Sequence, residues 1–353
     1  MLRSRSRLCE LPPLDTILRL FPIGRVLDVR KAASGLMHGT WLVTAEKGKY
    51  VLQRLHHKLA TPEILNDFKA VTEHLAKRGV LAPRLVATND GAGVAEVEGR
   101  WWRLATYVEG ETHDAVQSLR QAEEGARALA RFHRAMQDIE HHFESQHPLH
   151  DTEGHLRRLR EAREKPEHAE ALAGVAAEIA EVDAQLSGMM LPADLPRRVV
   201  HGDPKISNVL FQGDRAVGLL DLDTCTRHTV LVDLGDAVRS WCRDGNEDER
   251  QHFRLDRFEA ILRGYAAEGP PLNALERRHL GRAGRLITLE LASRFLRDVL
   301  EDEYFAWDER RFPDRRSHNR ARGRAMLYLA NDMGRWQAEI DTMVEKYFGA
   351  LDA

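Results

Sequence analysis

Cysteine is scarce in this chain: Cys9, Cys225 and Cys242 are the only three in 353 residues, an odd number without metal-like spacing. That count argues against a disulfide framework and fits a reducing compartment, so a cytoplasmic location is expected. Long apolar runs are missing as well. No window approaches the ~18 apolar residues of a membrane-spanning helix, so no membrane partner is expected. The basic start MLRSRSRLCELPPLDTILRLF has no uninterrupted apolar stretch behind its charges. Nor is there a strong charge of either sign. With 52 Lys and Arg against 55 Asp and Glu, the net charge of −3 argues against a nucleic-acid partner. Internal repeats and low-complexity tracts are absent too. What remains is an ordinary globular composition, 43% hydrophobic and 30% charged, long enough for two domains or one bilobal domain.

The pattern of apolar residues changes near residue 108. Before it, the runs 24–30, 39–45 and 48–55 are rich in β-branched and aromatic residues, and AEKG (45–48) joins the last two as a hairpin. TPEILNDFKAVTEHLAKRG (61–79) predicts a helix. Thr61 suits its N-cap, Pro62 its first position and Gly79 its end, while Ile64, Phe68, Val71 and Leu75 share one face. Segments 83–90, 93–99 and 100–108 predict three further strands in this lobe. From Glu109 onward, segments 115–140, 153–187, 250–269 and 274–302 are helix-periodic. One strand-like interruption, NVLFQGDRAVGLLDLD (208–223), carries the turn signal Gly213-Asp214. The expected fold is therefore α+β and bilobal. Residues 1–108 form a small antiparallel β-sheet lobe with one main helix, and 109–353 a larger helical lobe carrying a loop and a β-hairpin.

That loop is VVHGDPKISNVLF (199–211). Gly202 and Pro204 suffice to turn a chain; Asp203, Lys205 and Asn208 are not needed for turning. The hairpin brings Asp221, at its far end, back to the same small volume. Phosphoryl transfer requires this set: a carboxylate to take the acceptor proton, hard oxygen ligands for Mg²⁺, and a cation beside the moving phosphoryl group. Asp203 fits the base, Lys205 the cation, and Asn208 and Asp221 the metal ligands.

With its His201-Gly202-Asp203 start, Asn208 and the following Asp221-Leu222-Asp223, the loop resembles the catalytic and metal-binding motifs of the aminoglycoside phosphotransferase and choline kinase superfamily, small-molecule kinases of protein-kinase-like fold. GLMHGTWLV (35–43), GKYVLQRL (48–55), PEILNDFKAVTEHL (62–75), DLDTCTRHTVLVDLGDAVR (221–239) and LELASRFLRDVLEDEYF (289–305) further resemble segments of N-acetylhexosamine 1-kinases. The resemblance implies ATP and Mg²⁺ as cofactors and the anomeric hydroxyl of an N-acetylhexosamine as acceptor. It adds Asp223 as a further metal ligand. Arg294 and Tyr304 join Asp203 as substrate-binding residues, and Thr106, Tyr107 and Val108 form the edge that meets adenine. Where a strand lysine would steady the nucleotide phosphates, this sequence has Gln53 and Arg54. Strand neighbours face opposite sides, so one of the two takes that place, with Glu63 or Glu73 as an acidic helix partner. Gly35 and Gly39 would allow backbone approach to phosphate, in a turn that also holds His38 and lacks a full G-x-G-x-x-G.

Three other acceptor classes or roles follow from the same residues: an aminoglycoside kinase, a choline-type kinase, or a nucleotide-binding pseudokinase without the strand lysine. The His-rich stretch 133–155 reads as a solvated helix end and loop, and the basic stretch 310–324 as a charged loop leading into a helix. His201 is expected to pack and hydrogen-bond, and Asp233 and Asp236 to anchor the loop and cap a helix.

Overall fold

The computed structural model describes residues 13–32, 39–56, 60–144 and 149–350. Cys9, Gly35 and His38 lie outside them. The chain divides into two units, one of residues up to Glu73 with Pro83–Val108, the other of His74–Ala82 with Glu109 onward.

In the first unit, alternation of apolar and polar residues builds one sheet. Helix α1 (Leu14–Leu18) precedes strands β1 (Val26–Lys31), β2 (Gly39–Ala45) and β3 (Gly48–Arg54). Helix α2 (Pro62–Lys77) and strands β4 (Leu85–Val86), β5 (Ala95–Val97) and β6 (Arg100–Thr106) follow. The order is β1-β2-β3-β6-β4, with β5 also on β6, so the sheet has six strands, one for each strand segment named from the sequence. All its pairings are antiparallel. Trp41, Leu52 and Leu104 are cross-strand partners and share one face. That face closes on Ile17, Leu18, Phe21 and Ile23, with the Trp41 and Trp102 rings 5.4 Å apart. The five-residue α1, too short to show a period, is what covers it. Thr40, Gln53 and Arg103 are partners on the opposite face.

The second unit is mainly helical. Helix α3 (Leu119–Ala135) is capped by the Ser118 hydroxyl, which accepts from the Gln121 N–H. The helix-periodic stretch 153–187 breaks into α4 (Thr152–Arg163), α5 (Ala169–Ala173) and α6 (Ala176–Ser187), with Pro166 and Gly174 at the interruptions. Strand β7 (Arg198–Val200) pairs with β10 (Thr226–His228), and between them β8 (Val209–Gln212) and β9 (Arg215–Leu219) form the expected hairpin. Helices α7 (Val230–Trp241), α8 (Leu255–Glu268), α9 (Ala274–Glu301), α10 (Arg315–Arg335) and α11 (Gln337–Phe348) complete the unit. Much of the basic stretch 310–324 is thus helix, started by Asp314, whose carboxylate accepts from the Ser317 N–H. No helix among the described residues is long and apolar enough to cross a membrane.

Candidate active site

The loop after β7 is held by one buried carboxylate. Asp233, in the first turn of α7, accepts the N–H of His201 at 2.6 Å and of Gly202 at 2.8 Å. His133 Nε2 donates to the same carboxylate at 2.8 Å, and the Tyr265 hydroxyl donates to His133 Nδ1 at 2.8 Å. Burial pushes the Asp233 carboxyl up, but the His133 hydrogen bond and its other donors outweigh it and the pKa lies below the ordinary value. Asp233 therefore anchors the loop, as its sequence position suggested. His133 is fully enclosed, contrary to a solvated helix end, and His150 is also buried. His201 accepts the Asp203 N–H at Nδ1 (3.2 Å) and so carries its proton on Nε2, which donates to the Leu220 carbonyl at 2.9 Å. Gly202 has φ +87°, and a Cβ there would lie 2.5 Å from the Thr224 carbonyl oxygen. Trp241 Nε1 donates to the Pro204 carbonyl at 3.0 Å, closing the loop from the α7 side.

On this scaffold the reactive groups meet. Lys205 Nζ donates to Asp203 Oδ2 at 2.5 Å, and Asn208 Nδ2 donates to the Asp203 carbonyl at 2.8 Å and to Oδ2 at 3.3 Å. Because the Asn208 nitrogen is committed to Asp203, its Oδ1 faces away as a hard oxygen donor. Asp221 follows the hairpin in the left-handed region, φ 62° and ψ 55°, and its exposed carboxylate has no partner among the described residues. Burial is the largest influence on Asp203 and raises its pKa; Lys205 opposes this, while Asp236 and Asp221 add to it. Burial works against the Lys205 charge, yet Asp203, Asp221 and Asp236 together raise its pKa above the ordinary value. Asp236 itself is paired with Arg239 at 2.7 Å.

The Asn208 Oδ1 and the free Asp221 carboxylate suit Mg²⁺, which takes one or two protein oxygens and completes its shell with water and phosphate. The described residues contain no group of three or more His, Cys, Asp or Glu side chains able to cage a metal alone. Asp223 is buried in the turn that follows Asp221.

In the first unit, Gln53 and Arg54 point to opposite faces. Gln53 lies on the α2 side, where its Oε1 accepts from Arg103 Nε at 3.2 Å and Nη2 at 2.8 Å. Arg103 is buried and its guanidinium sits 4.0 Å from the centre of the Phe68 ring of α2. Neither expected acidic partner takes part: Glu73 lies 4.0 Å from Lys69 within the helix, and Glu63 sits at its first turn beside Thr61. Of the three residues expected to meet adenine, Thr106 and Tyr107 spend their N–H groups on the carbonyls of Arg84 and Lys49. Val108 retains an N–H without a partner among the described residues.

Helix α9 carries Glu290, Arg294 and Asp298 one turn apart. Glu290 is buried and accepts from His150 Nδ1 at 2.8 Å and from the Thr152 hydroxyl at 2.5 Å. Asp298 accepts the N–H groups of Glu303, Tyr304 and Phe305 at 2.9, 2.8 and 2.9 Å, and Asn319 Nδ2 at 2.8 Å. Arg294, between two occupied carboxylates, makes no ion pair or hydrogen bond among the described residues. Its guanidinium carbon lies 5.9 Å from the Tyr304 ring centre and 5.6 Å from that of Phe305. Sequence reasoning passed over Asp298. The available signal was a carboxylate in the last turn of a helix, where the macrodipole disfavours it unless it has other work.

A carboxylate, ammonium, amide and second carboxylate on one loop and hairpin of a helical unit define a small-molecule kinase of protein-kinase-like fold. The chain belongs to the phosphotransferase enzyme family, which it matches over residues 28–268. It is similar to the homoserine kinase of Zymomonas mobilis subsp. mobilis, 29% identical over 259 residues that span 71% of this chain and 76% of that protein. In fold it is similar to a microcompartment-associated aminopropanol kinase, with TM-score 0.63 and 19% identity over 93% of this chain and 98% of the other. An amicoumacin kinase in complex with AMP-PNP and Ca²⁺ gives TM-score 0.61 and 16% identity over 96% and 95% of the two chains. The chain is thus a phosphotransferase acting on a small-molecule hydroxyl.

Proposed function

We propose that the chain transfers the γ-phosphoryl group of ATP, with Mg²⁺, to a sugar hydroxyl, the anomeric hydroxyl of an N-acetylhexosamine foremost. The observation that carries the acceptor class is Arg294, a guanidinium unpaired among the described residues and set beside the rings of Tyr304 and Phe305. A guanidinium can donate paired hydrogen bonds to hydroxyls or an acetamido carbonyl, and an aromatic face suits the apolar side of a sugar ring. A cationic amine would instead need a free carboxylate, and Glu290 and Asp298 on the same stripe are already filled.

The chemistry follows from the loop. Lys205 and Asn208 hold Asp203 Oδ2, so Oδ1 is left to accept the proton of the attacking hydroxyl. A bond forms between the acceptor oxygen and the γ-phosphorus while the β–γ bridging oxygen departs with ADP. Asn208 Oδ1 and Asp221 would hold Mg²⁺, with Asp223 in support; the ion neutralises phosphate charge when bound. Lys205 keeps its proton, set among three carboxylates, and offers positive charge beside Asp203.

A second reading has an amino-acid alcohol as acceptor. The homoserine kinase relative favours it, and a substrate carboxylate would pair well with Arg294. ADP release against sugars, homoserine and other amines, with ³¹P NMR of the product, decides between them. Turnover of N-acetylhexosamines to an anomeric phosphate supports the first reading; turnover of homoserine with sugars inert overturns it.

A further inference from the structure

The strand that should bring a lysine to the nucleotide phosphates brings a neutral amide instead. The geometry around it compensates. Gln53 and Arg103 face one another as register partners on β3 and β6. Arginine has donors only, so the amide must turn its oxygen to the guanidinium, where Oε1 accepts from Nε at 3.2 Å and Nη2 at 2.8 Å. Gln53 Nε2 is therefore aimed away from Arg103 with both its N–H groups, and it meets no acceptor among the described residues. A freely turning amide would offer phosphate an oxygen half of the time. This one offers only donors.

Arg103 is itself fixed. It is 2% exposed, with Phe68 of α2 under its guanidinium at 4.0 Å. Its guanidinium thus stands directly behind the amide oxygen and holds it there. Arg54 does not share this arrangement, because it points to the other face, toward Gly39 and the Trp41 side of the sheet.

We propose that Gln53 and Arg103 act together as the phosphate-binding unit of the first lobe. Gln53 donates its amide N–H groups to α- or β-phosphate oxygens of the nucleotide. Arg103 is a positioning residue that fixes the amide with its oxygen turned inward and its N–H groups outward. This rests on the kinase reading above, and the two can fail separately.

The test is titration of the full-length chain with Mg²⁺ and AMP-PNP, alongside unfolding curves without nucleotide. Gln53→Glu keeps an oxygen for Arg103, gaining an ion pair, but puts a negative oxygen where the N–H groups stood. The melting temperature should hold or rise while AMP-PNP affinity falls by at least ~10-fold, since a hydrogen bond to a charged group is replaced by repulsion. Gln53→Met, which loses the donors without adding charge, should lower affinity less. Arg103→Lys should retain more affinity than Arg103→Met, and Arg54→Gln should leave it unchanged. AMP-PNP binding within about twofold of wild type in Gln53→Glu and Gln53→Met, or a loss confined to Arg54→Gln, overturns the inference while leaving the kinase reading intact. A wild-type chain that binds no AMP-PNP at all overturns both.

Discussion

Lys205 Nζ and Asp203 Oδ2 are 2.5 Å apart, and this contact divides the two oxygens of the proposed base between two tasks. Oδ2 is held by the ammonium and by the Asn208 amide; Oδ1 is open to an acceptor hydroxyl. Asp203→Asn keeps the shape but loses the proton acceptor. Turnover measured by ADP release should fall by at least ~10²-fold, with AMP-PNP binding largely kept. Undiminished turnover in this variant would remove Asp203 from the role of base.

The neighbours of Asp203 would also set the pH at which the proposed base works. Burial, Asp236 and Asp221 raise its pKa, so the acid limb of the rate profile should lie above the ordinary Asp value of 3.8. Removing one like charge favours the ionised form and lowers that pKa. In Asp236→Asn the acid limb of kcat/KM should therefore move to lower pH. A limb that stays in place would mean that another group controls it.

The parts of this site that lie close together in sequence were legible. Asp203, Lys205 and Asn208 share one short loop, and a hairpin signal sufficed to bring in Asp221. What supports them was not legible. Asp233 could be placed near the loop, but its contact with His133 spans 100 residues and the next contact, to Tyr265, spans 132. No local pattern marks a buried histidine that bridges two helices, so the His-rich stretch read as solvated. Gln53 and Arg103 met the same obstacle: strand alternation narrowed the choice to Gln53 or Arg54, but only strand pairing across 50 residues supplies the charge behind one of them. The helices were legible where apolar periodicity was strong, as in α2 and α9. Where arginines interrupt it, as in α10, the helix was expected but its start was placed too late.

Glu290 and His150 form a buried ion pair 2.8 Å apart, so stability should depend on pH. Burial opposes the Glu290 charge, but His150 overcomes it and holds the carboxyl at about 2, below its ordinary 4.5. That contribution is complete above about pH 4.5 and is lost as pH falls toward 2. Burial likewise opposes the His150 charge, and Glu290 raises its pKa above 6.5. This contribution is complete below pH 6.5 and is lost as pH rises through the folded value. Glu290→Gln should cost about 3 kcal/mol between these limits, and less outside them. Denaturant unfolding of both chains across that range is the check; a constant difference at all pH values would contradict the pairing.

Asp298 gathers three successive N–H groups, of Glu303, Tyr304 and Phe305, onto one carboxylate at the end of α9. The Asn319 amide adds a fourth donor, so both oxygens are saturated. This turn sets where the two rings stand relative to Arg294, one helical turn earlier. Asp298→Asn keeps one oxygen for two N–H groups but presents an N–H to Phe305 and Asn319, which have only donors to offer there. The turn should loosen locally while the Asp203 loop, held from α7, is unaffected. The acceptor KM should rise by about 10-fold or more, with the ATP KM within about twofold of wild type. Equal losses in both constants would show that Asp298 serves general stability, and an unchanged acceptor KM would take Tyr304 and Phe305 out of the acceptor site.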